Sequence, residues 1–159
     1  MSTADMPVPV VAQFAAQLGA HVLVVRAPYY RDVVDGMAAG AARILAGSGA
    51  TYDTLDVAGA FELAQAVRLA LRGPVRYDGF VALGCVVRGE TDHYEFICRT
   101  SLDGLMHVAL QYGIAMGTGL LTVHDLAQAV ARSSHDDHNK GAEAAAACLS
   151  QVAIRRRFG

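Results

Sequence analysis

Residues 79–96 read GFVALGCVVRGETDHYEF and change character twice. From Gly79 to Val87 the chain is apolar or small without a polar interruption. That is how a strand covered on both faces reads, and such strands belong to parallel sheets. The run stops at Arg88-Gly89-Glu90-Thr91. Helical spacing then takes over, with Tyr94, Ile97, Cys98, Leu102, Leu105, Val108 and Ala109 on one face as far as Tyr112, and Gly113 as the stop. Thr91 or Asp92 is expected to cap this helix, with Glu95 completing a capping box with Asp92. The stretch is therefore one strand–turn–helix unit.

The same alternation runs through the rest of the chain. Strands are expected at residues 21–25, 52–57 and 114–122, and helices at 31–48, 60–71, 124–132 and 139–155. Strand–helix repetition of this length predicts βαβ units with helices on both faces of the sheet. The fold class is thus α/β: a three-layer α/β/α sandwich on a four-stranded parallel sheet, flavodoxin-like. A single domain is expected over residues 21–159, preceded by an arm over 1–20. Within the arm, VPVVAQFAAQL suits pairing with a neighbouring sheet edge or docking on another subunit.

With 159 residues, 53% hydrophobic and 18% charged, and a formal net charge of -2, the chain gives no reason to expect nucleic acid or an anionic membrane as partner. No apolar run reaches the roughly 18 to 20 residues of a membrane span. Alanine and valine carry the apolar excess, which suits surface buried between subunits. Three cysteines without metal-like spacing read as free thiols in a reducing cytosol. The start lacks a basic region followed by an apolar one, so no secretory signal is expected and the location is read as cytoplasmic.

In an open parallel sheet, ligands bind outside the carboxyl ends of the strands. Four segments meet that condition: 26–30, 57–62, 87–93 and 118–125. At Arg88–Thr91, Gly89 permits close backbone approach and the following helix offers unpaired amides, a combination that suits phosphate. His93 follows in the first turn, where an imidazole can accept and return a proton near neutral pH. Local sequence leaves a second reading open: an ordinary capped junction with a solvated histidine. Glu62 either accepts hydrogen bonds from a hydroxylated ligand or answers the helix dipole. Phe61 reads more readily as core than as a ligand contact. Tyr29 and Tyr30 either stack on a flat heterocycle or pack under a loop. Lys140, at the first position of a helix capped by Asn139, opposes the dipole, which hints at a positive charge wanted there. The His135-Asp136-Asp137-His138 loop lacks a geometry that would make it a metal site.

Three motifs in order resemble the lumazine synthase family: VAGAFEL at 57–63, GCVVRGETDHYEF at 84–96, and GLLTVHDLAQAVAR at 119–132 followed by NKG. The resemblance spans roughly His21 to Phe158. It implies a transferase of riboflavin biosynthesis, 6,7-dimethyl-8-ribityllumazine synthase. Such an enzyme joins 5-amino-6-(D-ribitylamino)uracil to 3,4-dihydroxy-2-butanone 4-phosphate without metal or organic cofactor. By that likeness Tyr29 stacks on the pyrimidine. The backbone around Gly59, Ala60, Phe61, Val86 and Val87 reads the heterocycle, with Thr118 near the ring. Glu62 binds ribityl hydroxyls. Gly89, Glu90 and Thr91 cradle the butanone phosphate, Arg132 clamps it, His93 shuttles protons and Lys140 helps hold the ligands. The family places each site between adjacent subunits of a homopentamer, some members assembling further, so Arg132 and Lys140 would come from the neighbouring chain. Ala58 and Ala64 replace the family's prolines. Pro28, Tyr30, Thr118 and His124-Asp125 stand where arginine, asparagine, phenylalanine and Glu-Asn are common. The alternative kept open is a non-catalytic flavin- or lumazine-binding or shell-forming protein on the same scaffold.

Overall fold

The apolar run at 79–87 becomes a central strand because it has a neighbour on each side and helices above and below. A computed structural model describes residues 19–159, so all but the last two residues of the expected arm lie outside the described part. The strands are β1 (His21–Ala27), β2 (Thr51–Asp56), β3 (Gly79–Val87) and β4 (Ala115–Val123). All pair in parallel, in the order β2-β1-β3-β4. The helices are α1 (Arg31–Gly47), α2 (Ala60–Ala70), α3 (His93–Tyr112), α4 (Leu126–Ala131) and α5 (Lys140–Phe158). A 3-10 turn at Pro28–Tyr30 joins β1 to α1. Four parallel strands with helices on both faces make the expected α/β/α sandwich.

Strand polarity follows how far helices cover each strand, so β4 is mostly buried although it is an edge strand like β2. β1 and β3 are buried on both faces, whereas TYDTLD of β2 is exposed at every position, as an edge strand with uncovered faces must be. On one face Leu23, Val25, Phe80, Ala82 and Leu120 meet α2 and α3 through Leu63, Val67, Leu105 and Val108. On the other, Val22, Val24, Val81, Leu83 and Leu121 meet α1, α4 and α5 through Val34, Met37, Ala129 and Leu149. Ala20 is buried in this second layer, so the packed body begins one residue before β1. α5 approaches its neighbours closely: a Cβ on Gly117 would run into the Ala144 carbonyl, and one on Gly141 into the Met37 backbone.

Polar ties fix both ends of the sheet. At the amino end Asp78 accepts from the His21 amide at 2.9 Å and from Arg156 Nη2 at 3.1 Å, with Arg155 Nη2 at 3.7 Å. Burial pushes the Asp78 carboxyl up, but the His21 amide and the two guanidiniums outweigh it and leave its pKa below the usual carboxylate range. At the other end Arg26 grips Asp56 through two hydrogen bonds (2.7 and 3.0 Å) and reaches Asp35 at 3.2 Å. Arg26 is thus held in structural pairs. The cysteines are free thiols, with Cys85 and Cys148 buried and Cys98 half-buried.

Most element boundaries differ from expectation by a residue or two, as frayed ends do. Two differences have a local cause or a larger size. Helix α4 is shorter at both ends, because Asp125 rather than His124 caps it and Arg132 is its C-cap. Helix α5 continues to Phe158, three residues beyond the expected end.

Candidate active site

Strand order and register build the site. The order reverses between β1 and β3, the topological switch point where a crevice opens at the carboxyl ends of the strands. Ala27, the last residue of β1, pairs with Gly84, while β3 and β4 run on together to Val87 and Val123. Cys85, Val86 and Val87 therefore project past the end of β1 as a ledge. Among the described residues its main chain on the β1 side has no strand partner, and Val86 and Val87 are only half-buried. Tyr29 rises beside the ledge, 79% exposed and edge-on to Tyr30 with ring centroids 5.3 Å apart. Tyr30 instead packs against the α1-side core. Of the two aromatics, only Tyr29 is free to meet a ligand.

The first turns of α2 and α3 converge on the same crevice. Gly59 precedes α2 in extended backbone, and a Cβ there would lie 3.3 Å from the Glu62 carboxylate, which folds back toward the turn. Ala60 is buried. Phe61, read from the sequence as core, is 39% exposed and stands edge-on to the His93 ring at 6.2 Å. Farther along, α2 and α3 pack tightly where Gly104 faces Ala64. The structure thus brings Gly59 to Glu62 together with His93.

The Arg88–Asp92 turn differs in detail from expectation. Gly89, Glu90 and Thr91 are exposed in it, and His93 is the first residue of α3. The capping box does not form. Asp92 has helical backbone and its side chain caps nothing. Only a long 3.4 Å bond joins the His93 amide to Thr91 Oγ1. Glu95 turns away to pair with Arg88, its Oε1 3.1 Å from Nη1. Arg88 also lies over the Tyr94 ring at 5.5 Å. The carboxylate that a capping box would use is thus engaged by a cation instead. Arg88, Tyr94 and Glu95 were absent from the sequence-derived site, and the placement of Arg and Glu astride the turn was the signal for them.

Thr118 lies within β4, paired with Ala82 and exposed, rather than at the strand end. Arg132 and Lys140 belong to the α4–α5 layer. Arg132 donates to the Gln128 carbonyl at 2.9 Å, and its own carbonyl accepts from the Lys140 amide at 2.8 Å. The Lys140 ammonium sits 2.6 and 2.8 Å from the two oxygens of Glu143, which offsets the cost of a cation at a helix start. Among the described residues no hydrogen bond, ion pair or ring contact joins Arg132 or Lys140 to the Gly59–Glu62 and His93 group within one chain.

Asn139, fully buried, is the joint that sequence reading saw only as a cap. Its Oδ1 accepts from the Ala142 amide at 3.0 Å, and its Nδ2 donates to the carbonyls of Gly36, Ser133 and Ser134. It therefore sets both Arg132 and Lys140 relative to α1. In the adjacent loop the His138 amide donates to Asp136 Oδ1 at 3.0 Å. This bond, with one from Ser134, keeps the Asp136 carboxyl below its ordinary pKa. Among the described residues no three His, Cys, Asp or Glu side chains are grouped to hold a metal ion.

The family model of 6,7-dimethyl-8-ribityllumazine synthase matches residues 19–156, nearly everything the structure describes. The chain belongs to the 6,7-dimethyl-8-ribityllumazine synthase family. Curated members of the family are similar to it over most of their length. The 6,7-dimethyl-8-ribityllumazine synthase of Bartonella tribocorum is 43% identical over 87% of this chain and 92% of its own. That of Paramagnetospirillum magneticum is 42% identical over 88% and 97%. The 6,7-dimethyl-8-ribityllumazine synthase 1 of Rhizobium meliloti is 42% identical over 87% and 94%. Lumazine synthase membership covers all four strand ends that form the crevice.

Proposed function

We propose that the chain is a 6,7-dimethyl-8-ribityllumazine synthase, a transferase of riboflavin biosynthesis. It condenses 5-amino-6-(D-ribitylamino)uracil with 3,4-dihydroxy-2-butanone 4-phosphate and releases phosphate and water. The observation that carries this reading is the convergence of the Gly59–Glu62 turn, His93 and the Gly89–Thr91 turn at the topological switch point of a family member's sheet. The non-catalytic alternative is not favoured, since the family and its curated members carry the synthase name.

In this reading the exposed Tyr29 stacks on the pyrimidine. Backbone groups of Gly59, Ala60, Phe61, Val86 and Val87 read its polar edge, Thr118 stands near the ring and Glu62 takes the ribityl hydroxyls. The phosphate sits in the turn of Gly89, Glu90 and Thr91 at the start of α3, where unpaired amides and the helix dipole favour an anion. The reacting amine and ketone are then side by side. Schiff-base formation, loss of phosphate and ring closure need alignment and proton transfer, and no metal or organic cofactor is assigned a part. Alignment supplies about 7–11 kcal/mol in favourable cases. His93 carries protons between these steps, the only catalytic role assigned.

Arg132 and Lys140 enter as residues of an adjacent subunit, Arg132 on the phosphate and Lys140 beside it. A homopentamer, alone or within a larger assembly, is the proposed form. Its support is apolar surface beyond what one chain covers. Phe96, Met106 and Leu110 lie along one side of α3 at 68, 59 and 75% exposure, and β2 leaves Tyr52 and Leu55 uncovered. No helix among the described residues is long and apolar enough to cross a membrane. The cytoplasm is the proposed location, residues 21–159 the proposed single domain and residues 1–20 its arm. Nucleic acid and membranes have no part in the proposal.

Incubation of the purified protein with both substrates tests the reading. Lumazine fluorescence and released phosphate should rise together above the uncatalysed rate. No product above that background, with both ligands still bound, refutes it.

A further inference from the structure

Arg88 is the first residue after β3 and is anchored twice. Its amide donates to the carbonyl of Val123, the last residue of β4, at 2.9 Å. Its guanidinium reaches across the turn to Glu95 Oε1 at 3.1 Å and covers the Tyr94 ring at 5.5 Å. One residue thus ties the end of the β3–β4 ledge to the first turn of α3, and everything it spans is Gly89 to Asp92 and His93.

Among the described residues that span has little else to hold it. A Cβ on Gly89 would meet nothing within 4 Å, the Asp92 side chain caps nothing, and the one side-chain bond inside the turn is 3.4 Å long. Without the guanidinium the turn would be joined to α3 by its covalent chain and weak local bonds. A turn that must order itself around an anion surrenders binding energy to do so, whereas one already held does not.

We propose that Arg88 is a positioning residue for phosphate binding: through Glu95 and Tyr94 it holds the Gly89–Thr91 turn in its ligand-ready form. The inference rests on the reading of that turn as the phosphate cradle. Arg88 itself needs no contact with substrate. The guanidinium matters for its geometry as well as its charge, since a planar cation both pairs with a carboxylate and lies on a ring, and an ammonium does the first better than the second.

Steady-state kinetics of the assembled enzyme tests this with Arg88→Met, Glu95→Gln, the double variant, Arg88→Lys and Thr91→Val. An exposed ion pair and a ring contact together predict that Arg88→Met raises the KM for the butanone phosphate about three- to tenfold. The KM for the pyrimidine should stay within about twofold, because uniform loss of substrate binding is not expected. Glu95→Gln should give part of the same rise, the double variant no more than Arg88→Met, and Arg88→Lys a partial recovery. Such coupling is the signature of two residues acting as one unit. The proposal is overturned by a rise in Arg88→Met with none in Glu95→Gln, which would mean direct contact with phosphate. Additive effects, equal loss for both substrates, or a changed assembly mass by light scattering would overturn it too. Thr91→Val separates the inference from its premise. An unchanged phosphate KM there removes the cradle and the inference together, whereas a raised one beside an unaffected Arg88→Met removes the inference alone.

Discussion

Phe61 and His93 stand edge to face with ring centroids 6.2 Å apart, one on the first turn of α2 and the other opening α3. The contact orients the imidazole without a hydrogen bond, because an aromatic edge presents partial positive charge to the face of its partner. Among the described residues no hydrogen bond engages either ring nitrogen of His93, and the contact joins the turn assigned to the pyrimidine to the helix assigned to the phosphate.

His93 is exposed and makes no packing contact that the core requires. His93→Ala should therefore lower kcat on the order of 10²-fold, as loss of one general acid–base group does, while the assembly mass stays the same. Unaltered turnover would remove His93 from the mechanism.

Arg132 is assigned to phosphate alone. Arg132→Ala should weaken binding of the butanone phosphate by about 1.5–3 kcal/mol, the range for a charge-assisted hydrogen bond, and that of the pyrimidine by much less. Calorimetric titration of each ligand decides it. Equal losses would contradict the assignment.

The seat of α5 on β4 is a backbone contact. Gly117→Ala places a methyl against the Ala144 carbonyl, which cannot rotate aside, so α5 must move. Overpacking of this kind costs about 1–3 kcal/mol. The urea midpoint should fall with the slope of the transition unchanged. A wild-type midpoint would mean that the helix shifts freely.

The lowered pKa of Asp78 sets the sign of an acid effect. A carboxyl that binds protons less tightly when folded contributes stability above its unfolded pKa, about 3.9, and loses it as pH falls through the folded value. Asp78→Asn should be less stable than wild type at pH 7. The gap should narrow steadily in melts taken at pH below about 4. A gap constant across that range would mean that the charge on Asp78 contributes nothing.

The fold was legible because its signals are repetitive: GFVALGCVV and the apolar run at 21–25 are short, β-branched and bounded by breakers, as buried strands are, and Gly113 closes the helix that follows. The turn between β3 and α3 was legible as a strand–helix junction but not in its bonding. A capping box and a cross-turn ion pair both use Glu95, and sequence does not say which partner lies nearer. Phe61 shows a related limit. Its type suggests core, yet the first position after a buried Ala60 points it into the crevice. Lys140 was read as a cation opposed to the dipole because Glu143, three residues on, was not counted against it. The joint made by Asn139 was illegible for a different reason: its carbonyl partner on Gly36 lies 103 residues away in sequence.

The ledge formed by Cys85 to Val87 stands roughly 10 Å beyond the end of β1, at about 3.3 Å per residue. What it offers on its open side is peptide amides and carbonyls, whose pattern is the same for any residue that keeps the strand. Exchange of Val86 or Val87 for another aliphatic would resize the crevice and leave its donors and acceptors where they are. In the proposed reading, recognition at this wall is set by how far β3 outruns β1, so a shift of pairing by one residue would rewrite it although every amino acid stayed the same.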